Sequence, residues 1–478
     1  MQNNLTFSDF LRDAFRRFDL CGLKSGLVSL CLEIPSFNLI DTYEYFIDKY
    51  SFSAFWEENE KMSYIALDKC KYINLNGPKK FELAEKFNKE NFKNLVDLNP
   101  HSDESSLTKA IYFFSFSENC KKNNQAEEVP DMEAVIPKVL LIKSKDKSWL
   151  RINCQVNSKS SLRENLEEFW AIRNQILHKR NYSSEKFLHK HNIREFYQEI
   201  ELTNKILEKN INKAIQLVEE EIIQKIVVGT RIIISAKDKL NVSAILKKLK
   251  IFHPNTCRYV WKRNDNDITF GASPEKLFSF NNQILILEAI AGTESSAKNS
   301  DKLLKSSKNL REHNFVSKYL IDSLNSLKIE NYKKEKLEVK SFGNLSHLRT
   351  IISSKIKNIC PFELLNKLHP SPAVCGYPQT EALHWIYTLE SFSRGNYASP
   401  IGWVDSSGNA DFRVAIRGIR YINKELELIA GAGIVKGSKC NKEIDEIKLK
   451  LESIAQLIFN TPYSNESSNF SITRSETF

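Results

Sequence analysis

The chain lacks long apolar runs, paired cysteines and a polybasic arm, and each shortage closes off a class of protein. No segment approaches eighteen consecutive apolar residues, so no membrane-spanning helix is expected. The opening stretch MQNNLTFSDFLRDAFRRFDL mixes Asp, Arg and Asn among its apolar positions and lacks the apolar core of a secretory signal. The 9 cysteines, at 21, 31, 70, 120, 154, 257, 360, 375 and 440, include no Cys-x-x-Cys pair and no neighbouring His at metal-ligand spacing. They read as reduced thiols, and a soluble, cytoplasmic protein is expected. The net charge of +10, from 69 basic against 59 acidic residues, is spread along the chain. Without an aromatic RNP motif or paired Cys and His, nucleic acid is not an expected partner, whereas a small anionic substrate suits the basic excess.

What is present is an ordinary globular composition, 41% hydrophobic over 478 residues, enough for one large domain or two to three smaller ones. To roughly residue 160, short apolar runs alternate with polar breaks: Phe52–Trp56, Met62–Leu67, Ile111–Phe116 and Ala134–Ile142 read as strands. Residues 162–224 carry Glu, Lys, Leu and Ile at helical spacing, with Leu202, Ile206, Ala214 and Val218 as core candidates and a polar connection around 180–186. Strands return at Ile226–Val228, Ile232–Ile234, Ile284–Leu287, Val414–Ile416 and Leu426–Ala430, with helices at 301–326, 361–369, 378–390 and 441–459. The Ser-, Lys- and Asn-rich segment 294–308 reads as a loop, and residues 463–478 as a frayed tail. There is no internal repeat. Strands and helices without regular βαβ alternation predict an α+β architecture.

Several charged positions stand where chemistry is feasible. On a helix over 443–458, Ile444, Ile447, Leu451, Ile454 and Ile458 form one apolar stripe, and Glu443, Glu446 and Lys450 lie along its edge. Such boundary charges ordinarily snorkel or pair. The approach through Gly431, Gly433 and Gly437, however, allows backbone to come close to a ligand near the helix start. Glu312 lies near the start of another predicted helix; two glutamates from distant helices suit Mg²⁺, which takes few carboxylates and leaves positions for water and an anion. Glu288 closes an apolar strand, where desolvation would raise its pKa and make it a proton donor, or it faces solvent at a strand end. Lys225 before Ile-Val-Val is either a snorkelling edge residue or a buried base. Arg417 has the geometry to hold a carboxylate with two parallel hydrogen bonds.

Taken in order, Lys225-Ile-Val-Val, Gly271-Ala-Ser-Pro-Glu-Lys-Leu277, Glu288-Ala-Ile-Ala-Gly-Thr293, Arg311-Glu-His313, Ser346-His-Leu-Arg-Thr350, Leu368-His-Pro-Ser-Pro-Ala-Val-Cys-Gly376, Arg394-Gly-Asn-Tyr397, Val414-Ala-Ile-Arg417 and the run Gly431 to Lys450 resemble the chorismate-utilising enzymes, and among them the isochorismate synthases. The resemblance is strong over roughly 200–460 and looser before it. It implies one large domain of the anthranilate synthase component I type, with mixed and antiparallel sheets flanked by helices. Residues 1–195 would form part of the same body as the catalytic region 196–462. The implied reaction is Mg²⁺-dependent: water adds at ring C2 of chorismate while the C4 hydroxyl departs.

By motif position the resemblance implies Lys225 as general base, in neutral form, and Glu288 as general acid. Glu312 and Glu446 would be the Mg²⁺ ligands, with Glu443 acting through water. Tyr397, Arg417, the Gly433 backbone and Lys450 would bind substrate, and His347 would stand beside the ring. Anthranilate synthases generally lack the lysine at position 225, and the aminodeoxychorismate synthases with a lysine nucleophile have that lysine where this chain has Ala291, so water is the expected nucleophile. Salicylate synthases share Lys225 and Glu288 and add a pyruvate-releasing step, which keeps them as the alternative. A non-catalytic binding module of the same fold is the reading from a different class. Ser371, Asn396, Ser399 and Leu287 depart from the usual family pattern. A monomer is expected, since a water-using enzyme needs no amidotransferase partner.

Overall fold

The computed structural model describes residues 6–22, 25–58, 62–99, 103–118, 129–179, 201–236, 240–295, 300–342 and 345–458. Among these, twenty strands join into one hydrogen-bonded network. Its pairings are antiparallel except where Gly26–Ile34 runs parallel to Leu95–Asp97. Alternate residues of a strand face opposite sides of its sheet, and here both sides are covered. Phe55, Tyr112 and Phe114 enter the main core beneath the helices, while Ala54, Trp56, Ile111 and Phe113 enter a second core rich in aromatic rings, with Tyr64, Tyr259 and Trp261. This double burial explains why the early runs are continuously apolar rather than strictly alternating.

Strands from the first 160 residues pair with strands of the later region. Ser53–Glu57 lies against Cys257–Asn264, and Lys109–Phe114 against Pro400–Asp405. The chain is therefore a single α+β domain. Of the expected boundaries, the one at 195 and the tail 463–478 lie outside the described residues, as does the 180–186 connection between the helices Lys159–Lys179 and Glu201–Glu219. No helix among the described residues is long and apolar enough to cross a membrane.

Several elements differ in extent from the sequence reading. Ile226–Val228 and Ile232–Ile234 are one strand, Lys225–Ser235, because Gly229 and Thr230 stay in register opposite Gly431 and Ala430 of the strand Glu425–Val435. Gly431 and Gly433 thus lie within that second strand, and Gly437 follows it in a turn with φ 87°. Val414–Ile416 is not a strand segment: pairing stops at Val414, and the backbone then turns to a left-handed Arg417 (φ 54°). The helix expected over 301–326 is two, Ser300–Lys305 and Ser307–Ser326, split where Ser306 Oγ accepts from Asn309 N at 3.3 Å and caps the second. The first of these occupies part of the expected 294–308 loop. Ala214 and Val218 are buried as expected, but Ile206 is 49% exposed and its neighbour Leu207 enters the core; the Leu202 side chain lies outside the described set. On the helix Cys440–Ile458, Ile444, Ile447, Leu451 and Ile454 of the predicted stripe are buried, and the Ile458 side chain lies outside the described set.

Candidate active site

One cleft gathers most of the positions singled out in the sequence. Its lining includes Glu312, His347, Tyr397, Arg417, Gly433, Glu446 and Lys450, together with Glu275. These residues come from the helices Ser307–Ser326 and Cys440–Ile458, the strands Leu345–Lys355 and Glu425–Val435, and the turns after Ser273, Arg394 and Val414.

The two long strands set the floor. Gly433 faces Val227 across the pair, and a Cβ on it would stand 2.4 Å from Glu312 Oε1 and 3.1 Å from Lys225 Cε. Its missing side chain is what admits the Glu312 carboxylate to this wall. Lys225, the first residue of its strand, is fully buried and stands directly behind the lining, with Nζ donating to Glu312 Oε1 at 2.9 Å. Lys450 Nζ donates to Glu446 Oε1 at 2.6 Å and to the Gly431 carbonyl at 2.8 Å. Burial works against the Glu446 charge, but Lys450 and then Lys308 outweigh it and hold the carboxyl below its ordinary range. Glu443 lies outside the lining; its Oε1 accepts from Lys308 Nζ at 2.6 Å, and its Oε2 is buried without a partner. Burial raises its pKa against the pull of Lys308.

Arg417, Tyr397 and His347 complete the polar lining. Arg417 donates to Ser453 Oγ at 3.4 Å and, among the described residues, forms no ion pair. Burial pushes its pKa down to about 10, so it remains charged at neutral pH. The Tyr397 hydroxyl is pushed up to about 12 by burial and stays a donor. His347 is forced down to about 3 by burial, with Arg417 and Lys450 adding to the effect, and is therefore neutral. Its Nδ1 lies 3.3 Å from Thr293 Oγ1 and its Nε2 is buried without a partner.

The expected acid, Glu288, is not where the sequence reading put it. It does not line the cleft, and Arg349 holds both of its oxygens, Nε to Oε2 at 3.1 Å and Nη2 to Oε1 at 2.9 Å. Burial would raise its pKa, but Arg349, with Lys276 and Arg413, brings the net shift below the ordinary range, the reverse of what proton donation needs. The carboxyl that does meet the requirement is Glu275. It is buried, it lines the cleft, and burial pushes its pKa up to about 7 against Lys225 and Lys450. Its signal was present in Gly271-Ala-Ser-Pro-Glu275, a motif that contributed to the resemblance without its glutamate being given a role. Lys308, which faces all three glutamates of the acidic cluster, was likewise passed over.

The donor set suits a hard divalent cation. Glu312 and Glu446 present carboxylates to one cleft, the Gly433 cradle keeps the first of them close, and Glu443 Oε2 is an unsatisfied acceptor at its margin. Among the described residues no three His, Cys, Asp or Glu side chains gather into a complete cage. Two protein carboxylates with water and substrate completing the shell is the usual arrangement for Mg²⁺.

A buried carboxyl with a raised pKa, an arginine without an ion pair among the described residues, and paired lysines and glutamates around one cleft are the features of an enzyme site for a small anionic substrate. The chain belongs to the chorismate-binding enzymes, whose family model matches residues 17–459. The isochorismate synthase MenF of Bacillus subtilis (strain 168) is 26% identical over 451 residues, covering 89% of this chain and 92% of that protein. The salicylate biosynthesis isochorismate synthase of Pseudomonas aeruginosa is 31% identical over 222 residues, 45% of this chain and 46% of that one. Among solved structures, MenF, the menaquinone-specific isochorismate synthase from Escherichia coli, aligns with a TM-score of 0.73 at 18% identity, over 94% of this chain and 98% of its own. Anthranilate synthase component I from Streptococcus pneumoniae TIGR4 gives a TM-score of 0.67 at 20% identity, over 83% and 93%. These likenesses bear out the expected fold, and membership of an enzyme family sets aside the non-catalytic reading.

Proposed function

We propose that this enzyme converts chorismate to isochorismate, adding water at ring C2 as the C4 hydroxyl departs. The observation that supports this most is the joint presence in one cleft of Glu275, a carboxyl with its pKa raised to about 7, and Arg417, a cation that forms no ion pair among the described residues. The relative similar over nine-tenths of the chain, an isochorismate synthase, agrees with it.

In this reading Arg417, the Tyr397 hydroxyl and Lys450 hold the substrate carboxylates, and the neutral His347 packs beside the ring. Glu275 in its acid form protonates the departing hydroxyl. Lys225 takes the proton of the attacking water, which requires its amine to be free of both its own proton and Glu312. Were Glu312 to hold a cation, the Lys225 amine would lose that partner. Glu312 and Glu446 would hold Mg²⁺, with Glu443 reaching it through water, and the ion would supply charge neutralisation and orientation for a substrate carboxylate.

Incubation with chorismate and Mg²⁺, followed by chromatography, tests the assignment. Isochorismate without pyruvate is expected. Salicylate with pyruvate would replace the reading by a salicylate synthase, and no conversion would reject it.

A further inference from the structure

Asn396 stands where the family pattern has an aromatic residue, one position before Tyr397. Its buried side chain donates from Nδ2 to the Phe114 carbonyl at 2.7 Å and accepts at Oδ1 from Arg263 Nη2 at 2.7 Å. Arg263 is itself fixed: Nε donates to both oxygens of Glu133 at 3.0 and 2.9 Å, Nη2 also donates to Glu133, and Nη1 reaches Asp267 at 3.2 Å and Thr269 at 3.3 Å. Glu133 further accepts from Trp261 Nε1, and Asp267 from Arg420. A polar network through the second, aromatic core therefore ends on the turn that presents Tyr397.

That turn is also tied by backbone hydrogen bonds, Phe116 N to the Gly395 carbonyl at 2.7 Å, Tyr397 N to the Arg394 carbonyl at 2.7 Å and Ala398 N to the Ala415 carbonyl at 2.8 Å, and by Arg394, which donates to Glu390 and to the Val374 and Val227 carbonyls; Asn396 ties it to the second core. Gly395 and Ala398 both have positive φ, 51° and 62°, and the latter is unfavourable for a residue with a Cβ. Tyr397 also has somewhere else to go. Its far side borders a second, smaller cavity lined by Tyr259, Thr269, Asn396 and Arg420 among others.

We propose that Asn396 and Arg263 are positioning residues for Tyr397, keeping its hydroxyl in the substrate cleft and out of the neighbouring cavity. The inference rests on the reading of that cleft as the chorismate site, which wild-type turnover tests separately. Asn396→Leu keeps the branched outline and the number of side-chain heavy atoms, at a larger volume, and removes both hydrogen bonds. It is expected to raise the KM for chorismate roughly tenfold while changing kcat less than about threefold, because ground-state and transition-state binding are lost together. In a Tyr397→Phe background the same substitution should have no further effect on KM, since the contact it positions is already gone. Additive effects on KM, or an unchanged KM accompanied only by a lower melting temperature, would overturn the proposal and leave Asn396 a purely structural residue. If the leucine variant does not fold, Asn396→Asp, which retains the acceptor for Arg263, is expected to show a smaller rise that also vanishes beside Tyr397→Phe, and additivity there would overturn the proposal equally.

Discussion

Lys225 Nζ and Glu312 Oε1 lie 2.9 Å apart, linking the first residue of one strand to a helix 87 positions further along the chain. The lysine is fully enclosed and the glutamate faces the cleft. One side chain proposed as base is thus capped by another proposed as metal ligand. Lys225→Ala should lower turnover by roughly 10²–10⁴, the usual contribution of a general base, while chorismate binding measured by calorimetry changes far less. A variant within threefold of wild type would remove Lys225 from the mechanism.

The two candidate acids give opposite expectations. Glu275→Gln should reduce kcat by about 10²-fold or more. Glu288→Gln should leave kcat within a few-fold and instead lower the melting temperature, since it weakens the hold on the half-buried Arg349, which keeps Glu338 as a second partner. The reverse pattern would restore Glu288 to the acid role.

The Glu275 carboxyl also fixes the sign of one pH effect. Its pKa is raised from 4.5 to about 7 by burial, so the acid form prevails below that value and is lost as pH rises through it. The kcat/KM for chorismate should fall on the alkaline side of about 7, and an infrared titration of the protonated carboxyl band should show a step there that Glu275→Gln removes. The same sign holds for stability: the favourable contribution is fully present below 4.5 and disappears toward 7.

Metal dependence should reside in Glu312 and Glu446. Chelation should abolish activity and Mg²⁺ restore it, and Glu446→Ala should weaken Mg²⁺ binding, followed by calorimetry, by roughly 10-fold or more. Unchanged Mg²⁺ binding in that variant would place the ion elsewhere.

Gly433→Ala probes the cradle. The added Cβ would stand 2.4 Å from Glu312 Oε1, so the carboxylate must shift away from both Lys225 and the cleft. Activity should fall roughly 10²-fold, as misplacement by an ångström does. The melting temperature should fall as well, because the fully buried Lys225 loses the hold of Glu312, although Gly433 has no left-handed φ and the substitution adds no backbone strain. Activity retained within threefold would show that the approach of Glu312 is not required.

Much of this site was legible because its parts sit on regular elements. The Glu446 to Lys450 edge follows from helical spacing beside a buried stripe, and the Gly431 and Gly433 approach follows from glycines in an otherwise apolar strand. Glu288 was misread because a glutamate ending an apolar run says nothing about its partner: Arg349 faces it from a neighbouring strand 61 residues later, and that pairing inverts the pKa shift. Glu275 was passed over because one buried carboxyl in a short polar motif has no periodicity to mark it. Ile206 and Leu207 show the same limit in the core, where helical phase alone did not say which of two adjacent apolar residues turns inward.

The central claim is that water attacks ring C2 of chorismate as the C4 hydroxyl leaves. Running the reaction in heavy-oxygen water and reading the product by mass spectrometry tests it directly. The account predicts isochorismate carrying one solvent oxygen, located at C2, with no pyruvate released. Product without solvent oxygen, or label retained only at C4, would contradict it.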